Sequence, residues 1–440
     1  MSPKNQIDDY RKAVAEGKRY LRKQRLQQEK MILEETKKPH TLLSPPLKSL
    51  ARMSELLSQN YLEGSYVNGI KKVAWFSSGA PTEILQSLGF FLYTPDNHAA
   101  LCGSRRVAVE YCEAAENVGY SRDICSYART DIGAFLLNKT PVGKIPKPDL
   151  IVVCNNICQT ILHWYQAMGV YYDAPVFLID TPFLYEDAQD HQVEFVKNQL
   201  EELAEVAERI SGNTFSMKKM TAIGDIGMEA AAVWLEILNK AKHRPAPITT
   251  FDAFILMGPI VAMRGQKVTL DFYRDVLKEV DERVKNGVAA VITEKYRVLW
   301  DNLPIWYRIK WTAETLASHG IAAVVSNYTL SWADSAQKLD PNRPIESCAR
   351  TYLKSLLNRS AGYKLNDMKR LIKEFDLDGV LFHSDRSCKP YSLGQEDQRA
   401  ILFDELHVPG LIMEADHNDA RVFSEEQVAN GINAFAEMMG

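Results

Sequence analysis

Short apolar runs bounded by turn signals recur along this chain with helix-like stretches between them, and that alternation constrains the fold most. The first series is Lys72-Val-Ala-Trp-Phe76, Asp149-Leu-Ile-Val-Val-Cys154 and Pro175-Val-Phe-Leu-Ile-Asp180. The second is Phe251-Asp-Ala-Phe-Ile-Leu-Met257, Gly320-Ile-Ala-Ala-Val-Val325, Asp378-Gly-Val-Leu-Phe382 and Pro409-Gly-Leu-Ile-Met-Glu414. Runs this short read as buried strands, and strand–helix–strand repetition predicts a parallel sheet with helices on both faces. The reading is α/β, with a first doubly wound domain over residues 67–185 and a second over 246–440. Residues 186–245 are charged and amphipathic without a strand signal, which predicts a helical connector. Residues 1–66 predict a helical arm broken at Pro45-Pro46.

Composition narrows the function classes. The chain has 440 residues, 46% hydrophobic and 25% charged, and a net charge of −4 that gives no pull toward nucleic acid. Residues 1–40 hold 11 Lys/Arg against 6 Asp/Glu; a solvated helix packed on the body or on a sister subunit is preferred to a basic arm for an acidic partner. No apolar run has the length of a membrane span, and the start of the chain lacks a signal-like apolar region. Seven cysteines, an odd number, argue for reduced thiols and a cytoplasmic protein. There is no Gly-x-x-x-x-Gly-Lys-Ser/Thr, no Gly-x-Gly-x-x-Gly after the first strand, no His-Glu-x-x-His and no Gly-x-Ser-x-Gly. Phosphate-loop, dinucleotide, zinc-protease and common hydrolase chemistry are therefore not indicated.

Three cysteines sit where predicted strands give way to loops. Cys125 lies in Asp123-Ile-Cys125-Ser-Tyr, ahead of a helix expected to begin near Thr130-Asp131. Cys158 follows Asn155-Asn156 at a strand end, and Cys388 lies in a loop six residues after Phe382. A parallel sheet gathers the carboxyl ends of its strands at one edge, where ligand sites form. Three thiolates meeting there can hold an iron–sulfur cluster with one metal corner open. A helix N-terminus also lowers a thiol's pKa. Cys154-x-x-x-Cys158 can be read as a chelating pair, but Cys154 lies inside an apolar run, so Cys158 alone is preferred. Cys102, Cys112 and Cys348 have no comparable setting.

Other groups are expected at the same edge. In Ser77-Ser-Gly-Ala-Pro-Thr-Glu83, Ser77 and Glu83 read either as substrate contacts and proton carriers or as a helix cap. Arg264, in an expected loop over Met257–Gly265, is suited to an anionic substituent. Ser326 and Tyr328 end another strand and are suited to lining a flat apolar pocket. Arg386 and Lys389 either favour a reduced cluster beside Cys388 or belong to a solvated loop.

In order and spacing, these motifs resemble the benzoyl-CoA reductase / 2-hydroxyacyl-CoA dehydratase family. The resemblance is carried by Asp123-Ile-Cys125-Ser-Tyr with Thr130-Asp-Ile-Gly133, Pro148-Asp-Leu, Asn156-Ile-Cys158 and His163-Trp-Tyr. Met257-Gly-Pro with Arg264-Gly, Ser326-x-Tyr-Thr, Ser387-Cys388 and Ser392-x-Gly-Gln395 complete the set, over residues 70 to 415. The last elements are similar to the larger cluster-carrying subunit of ATP-dependent benzoyl-CoA reductase. The resemblance implies two Rossmann-like domains and a [4Fe–4S] cluster on Cys125, Cys158 and Cys388. It also implies a smaller homologous cluster-carrying subunit as partner, an activator ATPase and ferredoxin as electron source. In the dehydratases a carboxylate at the start of the first domain's helix lies near substrate, and Glu83 matches that position.

The expected activity is reduction of an aromatic acyl-CoA, with benzoyl-CoA giving a cyclic diene. A radical 2-hydroxyacyl-CoA dehydratase subunit and a non-catalytic cluster scaffold are the alternatives.

Overall fold

The computed structural model describes residues 3–333, 339, 340 and 342–440. Among these, β1 (Val73–Phe76), β2 (Phe91–Tyr93), β3 (Leu150–Cys154) and β4 (Val176–Ile179) form one sheet in the order β2-β1-β3-β4. β5 (Tyr296–Asp301), β6 (Ile321–Ser326), β7 (Gly379–Asp385) and β8 (Gly410–Ala415) form the second, in the order β6-β5-β7-β8. Every pairing is parallel. The two sheets thus share one topology, and the α/β reading with two Rossmann-like sheets holds. Parallel strands covered on both faces are apolar at every position rather than alternating, and β1, β3, β5 and β6 are buried throughout.

The arm consists of helices Pro3–Glu35 and Ser49–Tyr66, separated by the segment that holds Pro45-Pro46. The 186–245 stretch holds helices Asp190–Ser211 and Met217–Asn239. Helix Pro344–Leu353 lies between β6 and β7 in sequence, yet its Ile345, Cys348, Tyr352 and Leu353 join the core built on β1 and β3.

Three expectations need correction. Phe251–Met257 is not a strand: Thr250–Leu256 is a helix, opened by a reciprocal cap between Thr249 and Asp252. Phe251 and Phe254, one turn apart, pack edge-on against Trp300. The 257–265 stretch continues as a short helix, Gly258–Ala262, rather than a loop. The helix after Cys125 begins at Ser126, not Thr130, so Cys125 itself is the N-cap. Thr130 is buried inside it, donating to the Ser126 carbonyl at 2.7 Å.

The true first strand of the second sheet, β5, gives no clean strand signal because Tyr-Arg-Val-Leu-Trp-Asp carries a charge near its start. Arg297 is fully buried, and its guanidinium donates to the carbonyls of Phe375, His243 and Ala241 and to Glu294. A buried cation tied to four acceptors fits a strand interior. β2, only three residues long, is too short to stand out in the sequence.

Candidate functional site

In both sheets the order reverses about the first strand, so β1/β3 and β5/β7 are the points where successive connections leave in opposite directions. Ligands of open α/β sheets bind outside the carboxyl ends of such strand pairs. Cys158 follows β3 and Cys388 follows β7. Both line one cavity of about 950 Å³ together with Cys125, Tyr127, Trp164, Trp306, Tyr328 and His417.

Each of the three cysteines is the residue just before a helix. The Cys158 sulfur accepts the Ile161 N–H at 3.3 Å, at the start of helix Gln159–Tyr172. Cys388 precedes the turn Lys389–Ser392 and faces the Tyr391 N–H. Cys125 precedes helix Ser126–Leu136, but its sulfur takes no capping N–H; His417 Nε2 lies 3.8 Å away instead. Burial pushes the Cys158 thiol up to about 12, with Cys125 adding to it. Burial, then Asp385, Cys125 and Cys158, push Cys388 well above the usual thiol range. These mutual effects mean the three sulfurs sense one another. All are free thiols, partly open to the cavity. Yet they do not converge within 4.8 Å as a single ion's ligands would. Each thiolate of a cluster binds a different iron, so the ligand sulfurs stand further apart than around one ion, and the donor set fits a cluster better than a lone ion. Cys154 is fully buried in β3 and does not line the cavity.

A buried hydrogen-bond network from both halves of the chain holds Cys125 and Cys388. Asp416, after β8, accepts from Ser126 Oγ (2.5 Å), Ser387 Oγ (2.6 Å) and the N–H groups of Asn418 and Asp419 (2.9 Å each). Ser387 Oγ in turn accepts the Ser126 N–H at 3.1 Å. His417 Nδ1 faces Asp385 Oδ2 at 2.6 Å. Burial alone would lower the His417 pKa, but Asp385 and Asp416 beside it raise it well above the imidazole range. Arg129 bridges Glu116 and Asp419 in the same layer.

The remaining expected residues divide. Tyr328 and Arg264 line the cavity. Arg264 is 8% exposed and donates to the Ala80 carbonyl at 2.8 Å. Its Nε has no partner, and it has no carboxylate partner among the described residues. Ser77 and Ser326 do not line the cavity: Ser77 Oγ accepts the Cys154 N–H, tying β1 to β3, and Ser326 caps its own helix. Glu83 stands behind the wall, accepting from the hydroxyl of Tyr352, which does line it. Arg386 and Lys389 are exposed and lie outside the lining, as a solvated loop would place them. Gln395, from the Ser-x-Gly-Gln motif, is buried and donates to Asp301 at 2.7 Å.

Sequence reasoning missed Asp96 and Ser78. Asp96 is the one carboxylate among the described residues lining the cavity. Tyr165 donates to it at 2.6 Å and Ser78 Oγ at 3.2 Å, and burial raises its pKa above the usual carboxylate range. The only sequence signal was a carboxylate in the first turn after Pro95, a common helix start.

The fold and site define a two-sheet parallel α/β protein with three free thiols and a carboxylate around one cavity. The chain belongs to the 2-hydroxyglutaryl-CoA dehydratase, D-component family, whose model matches residues 77–439. It is 29% identical to the (R)-2-hydroxyisocaproyl-CoA dehydratase alpha subunit of Clostridioides difficile, over 88% of this chain and 96% of that one. It is 28% identical to the alpha subunit of lactoyl-CoA dehydratase from Anaerotignum propionicum (83% and 90%). It is 26% identical to a benzoyl-CoA reductase subunit of Thauera aromatica (89% and 94%). These relatives are subunits of enzymes that act on acyl-CoA thioesters. No described helix is long and apolar enough to cross a membrane.

Proposed function

We propose that this chain is the cluster-carrying subunit of a cytoplasmic enzyme acting on acyl-CoA, with Cys125, Cys158 and Cys388 holding a [4Fe–4S] cluster. The observation that carries the reading is three free thiols from three separate segments lining one cavity with a single carboxylate. Bound there, such a cluster supplies single electrons of low potential and leaves one iron without a protein ligand.

The chain's own residues do the rest. Tyr127, Trp164, Trp306 and Tyr328 keep water from the sulfurs' side of the cavity. Asp96, with its raised pKa, is suited to hold and return a proton, and Ser78 and Tyr165 fix its two oxygens. Arg264, held by the Ala80 carbonyl, brings a positive charge to the cavity wall for an acceptor on the substrate. Glu83 acts through Tyr352 rather than on the substrate directly.

Dehydration of a 2-hydroxyacyl-CoA is the first reading. Removing a hydroxyl and a neighbouring proton calls for a polar pair inside a mostly apolar cavity, which Asp96 and Ser78 supply, and two of the relatives above carry that activity in their names. Reduction of a benzoyl-type ring is the second, favoured by the aromatic wall of Phe254, Trp164, Trp306 and Tyr328. In either case the partners are a smaller homologous subunit, an activator ATPase and ferredoxin.

The test begins with anaerobic purification. Iron should be retained in Cys102→Ala, Cys112→Ala, Cys154→Ala and Cys348→Ala and lost in Cys125→Ala, Cys158→Ala and Cys388→Ala. Iron lost on Cys154→Ala but kept on Cys158→Ala would overturn the ligand set. The assembled complex is then given a 2-hydroxyacyl-CoA or benzoyl-CoA. Turnover of the first with catalytic ATP supports dehydration. Turnover of the second with stoichiometric reductant moves the chain to the reductase branch.

A further inference from the structure

The three cysteines are not equally supplied with donors. The Cys158 sulfur accepts a backbone N–H of the turn that follows, and Cys388 faces one without forming a capping hydrogen bond, whereas the Cys125 sulfur takes none. His417 Nε2, 3.8 Å away, is the group that stands in its place.

The neighbours decide which atom carries the proton. Asp385 Oδ2, 2.6 Å from Nδ1, fixes the ring. Ser126 Oγ lies 2.5 Å from Asp416 Oδ1, and a carboxylate only accepts, so the one serine proton is committed there. The same Oγ faces His417 Nε2 at 2.8 Å, so the proton between them belongs to the imidazole. The Nε2–H is then shared between an oxygen and the Cys125 sulfur. The ring cannot swing away: it is 1% exposed, its edge meets Tyr127 at 4.2 Å between centroids, and its carbonyl holds the Trp306 N–H.

We propose that His417 is a positioning residue for the cluster, whose Nε2–H is directed at the Cys125 sulfur and raises the reduction potential of the group that sulfur holds. This rests on the cluster reading above. A hydrogen bond to a ligating sulfur withdraws charge and favours the more negative, reduced state. Because the donor is a side chain rather than a backbone amide, a substitution can remove this contact from the Cys125 sulfur.

The experiment is a redox titration of the full anaerobic protein, followed by visible absorbance and electron paramagnetic resonance, with iron per chain and melting temperature measured on the same samples. His417→Leu should keep its iron and become about tenfold harder to reduce, close to 59 mV for one electron. His417→Gln keeps an N–H and should recover at least half of that shift. Ser126→Ala removes the competing acceptor and should move the potential the opposite way. Equal potentials in wild type, His417→Leu and Ser126→Ala, all with full iron, would overturn the proposal. So would a fall of the same size in His417→Gln as in His417→Leu. If His417→Leu loses its iron, the sign of the Ser126→Ala shift decides. Wild-type protein without iron would sink the cluster reading itself, a result distinct from an unmoved potential.

Discussion

Asp416 joins the two halves of the site, and removing it should loosen both. Its carboxylate accepts four hydrogen bonds, from two hydroxyls and two backbone N–H groups, and it is 1% exposed. In Asp416→Ala the hydroxyls of Ser126 and Ser387 can turn toward other acceptors, but the N–H groups of Asn418 and Asp419 cannot. Two buried donors left unpaired cost about 1–3 kcal/mol each, so the expected loss is about 2–6 kcal/mol. His417 Nδ1 also loses a carboxylate 3.9 Å away but keeps Asp385 Oδ2 at 2.6 Å. Urea denaturation of Asp416→Ala against wild type measures it. A double-mutant cycle on Ser126→Ala and Ser387→Ala isolates the share carried through the carboxylate, with a coupling of about 0.5–3 kcal/mol expected for groups in one network. Because Ser126 adjoins Cys125 and Ser387 adjoins Cys388, iron retention should fall with stability. A loss below about 1 kcal/mol, with strictly additive serine variants, would refute the clamp.

Asp96→Asn should lower kcat by about 10²–10⁴-fold, the usual share of a positioned proton carrier, with little change in iron content; steady-state assay of the complex checks it. Gly133→Ala would set a Cβ 1.9 Å from the Tyr111 carbonyl oxygen, where helices Ala108–Asn117 and Ser126–Leu136 cross. A clash with backbone should cost about 3 kcal/mol in melting experiments and disturb the helix that starts at Cys125. Burial alone would raise the Asp419 pKa, but hydrogen bonds from Arg421 and Arg129 hold it down at about 2, against an ordinary 3.8. Its stabilisation, about 2 kcal/mol, is therefore present above the ordinary value and lost as pH falls from about 4 to 2. The stability difference between wild type and Asp419→Asn should vanish over that window.

What was legible in the sequence was the part written in local pattern. β1, β3, β4, β6, β7 and β8 are apolar runs between turns. The strand signal failed at β5, where Arg297 interrupts the run, because the carbonyls that satisfy it arrive from 241, 243 and 375. It failed the other way at Phe251–Met257, where an apolar run is equally a buried helix and only the Thr249–Asp252 cap decides. The three cysteines stood out because each breaks an apolar or helical pattern at its end. Asp96, Ser78 and His417 did not, since a first-turn carboxylate, a turn serine and a loop histidine have ordinary local roles. Only the meeting of distant segments gives them another.

The duplicated topology explains why the thiols are divided two and one. β3 and β7 occupy the same place in their sheets, and each leads through a short turn to a cysteine at the start of a helix, Cys158 and Cys388. Those two are counterparts. Cys125 belongs to the connection between β2 and β3, whose counterpart is the connection between β6 and β7. In the second half part of that connection leaves its own sheet: helix Pro344–Leu353 packs in the core of the first, where Tyr352 meets Glu83 and its ring lies beneath Arg264 at 5.7 Å. That segment keeps its own Cys348 in the first core and lines the cavity with Thr351 and Tyr352. Two similar halves therefore bring three sulfurs to one cavity, and Asp96, Ser78 and Arg264 border it with them. An asymmetric connection on a symmetric pair of sheets is what gives the cavity two unlike walls.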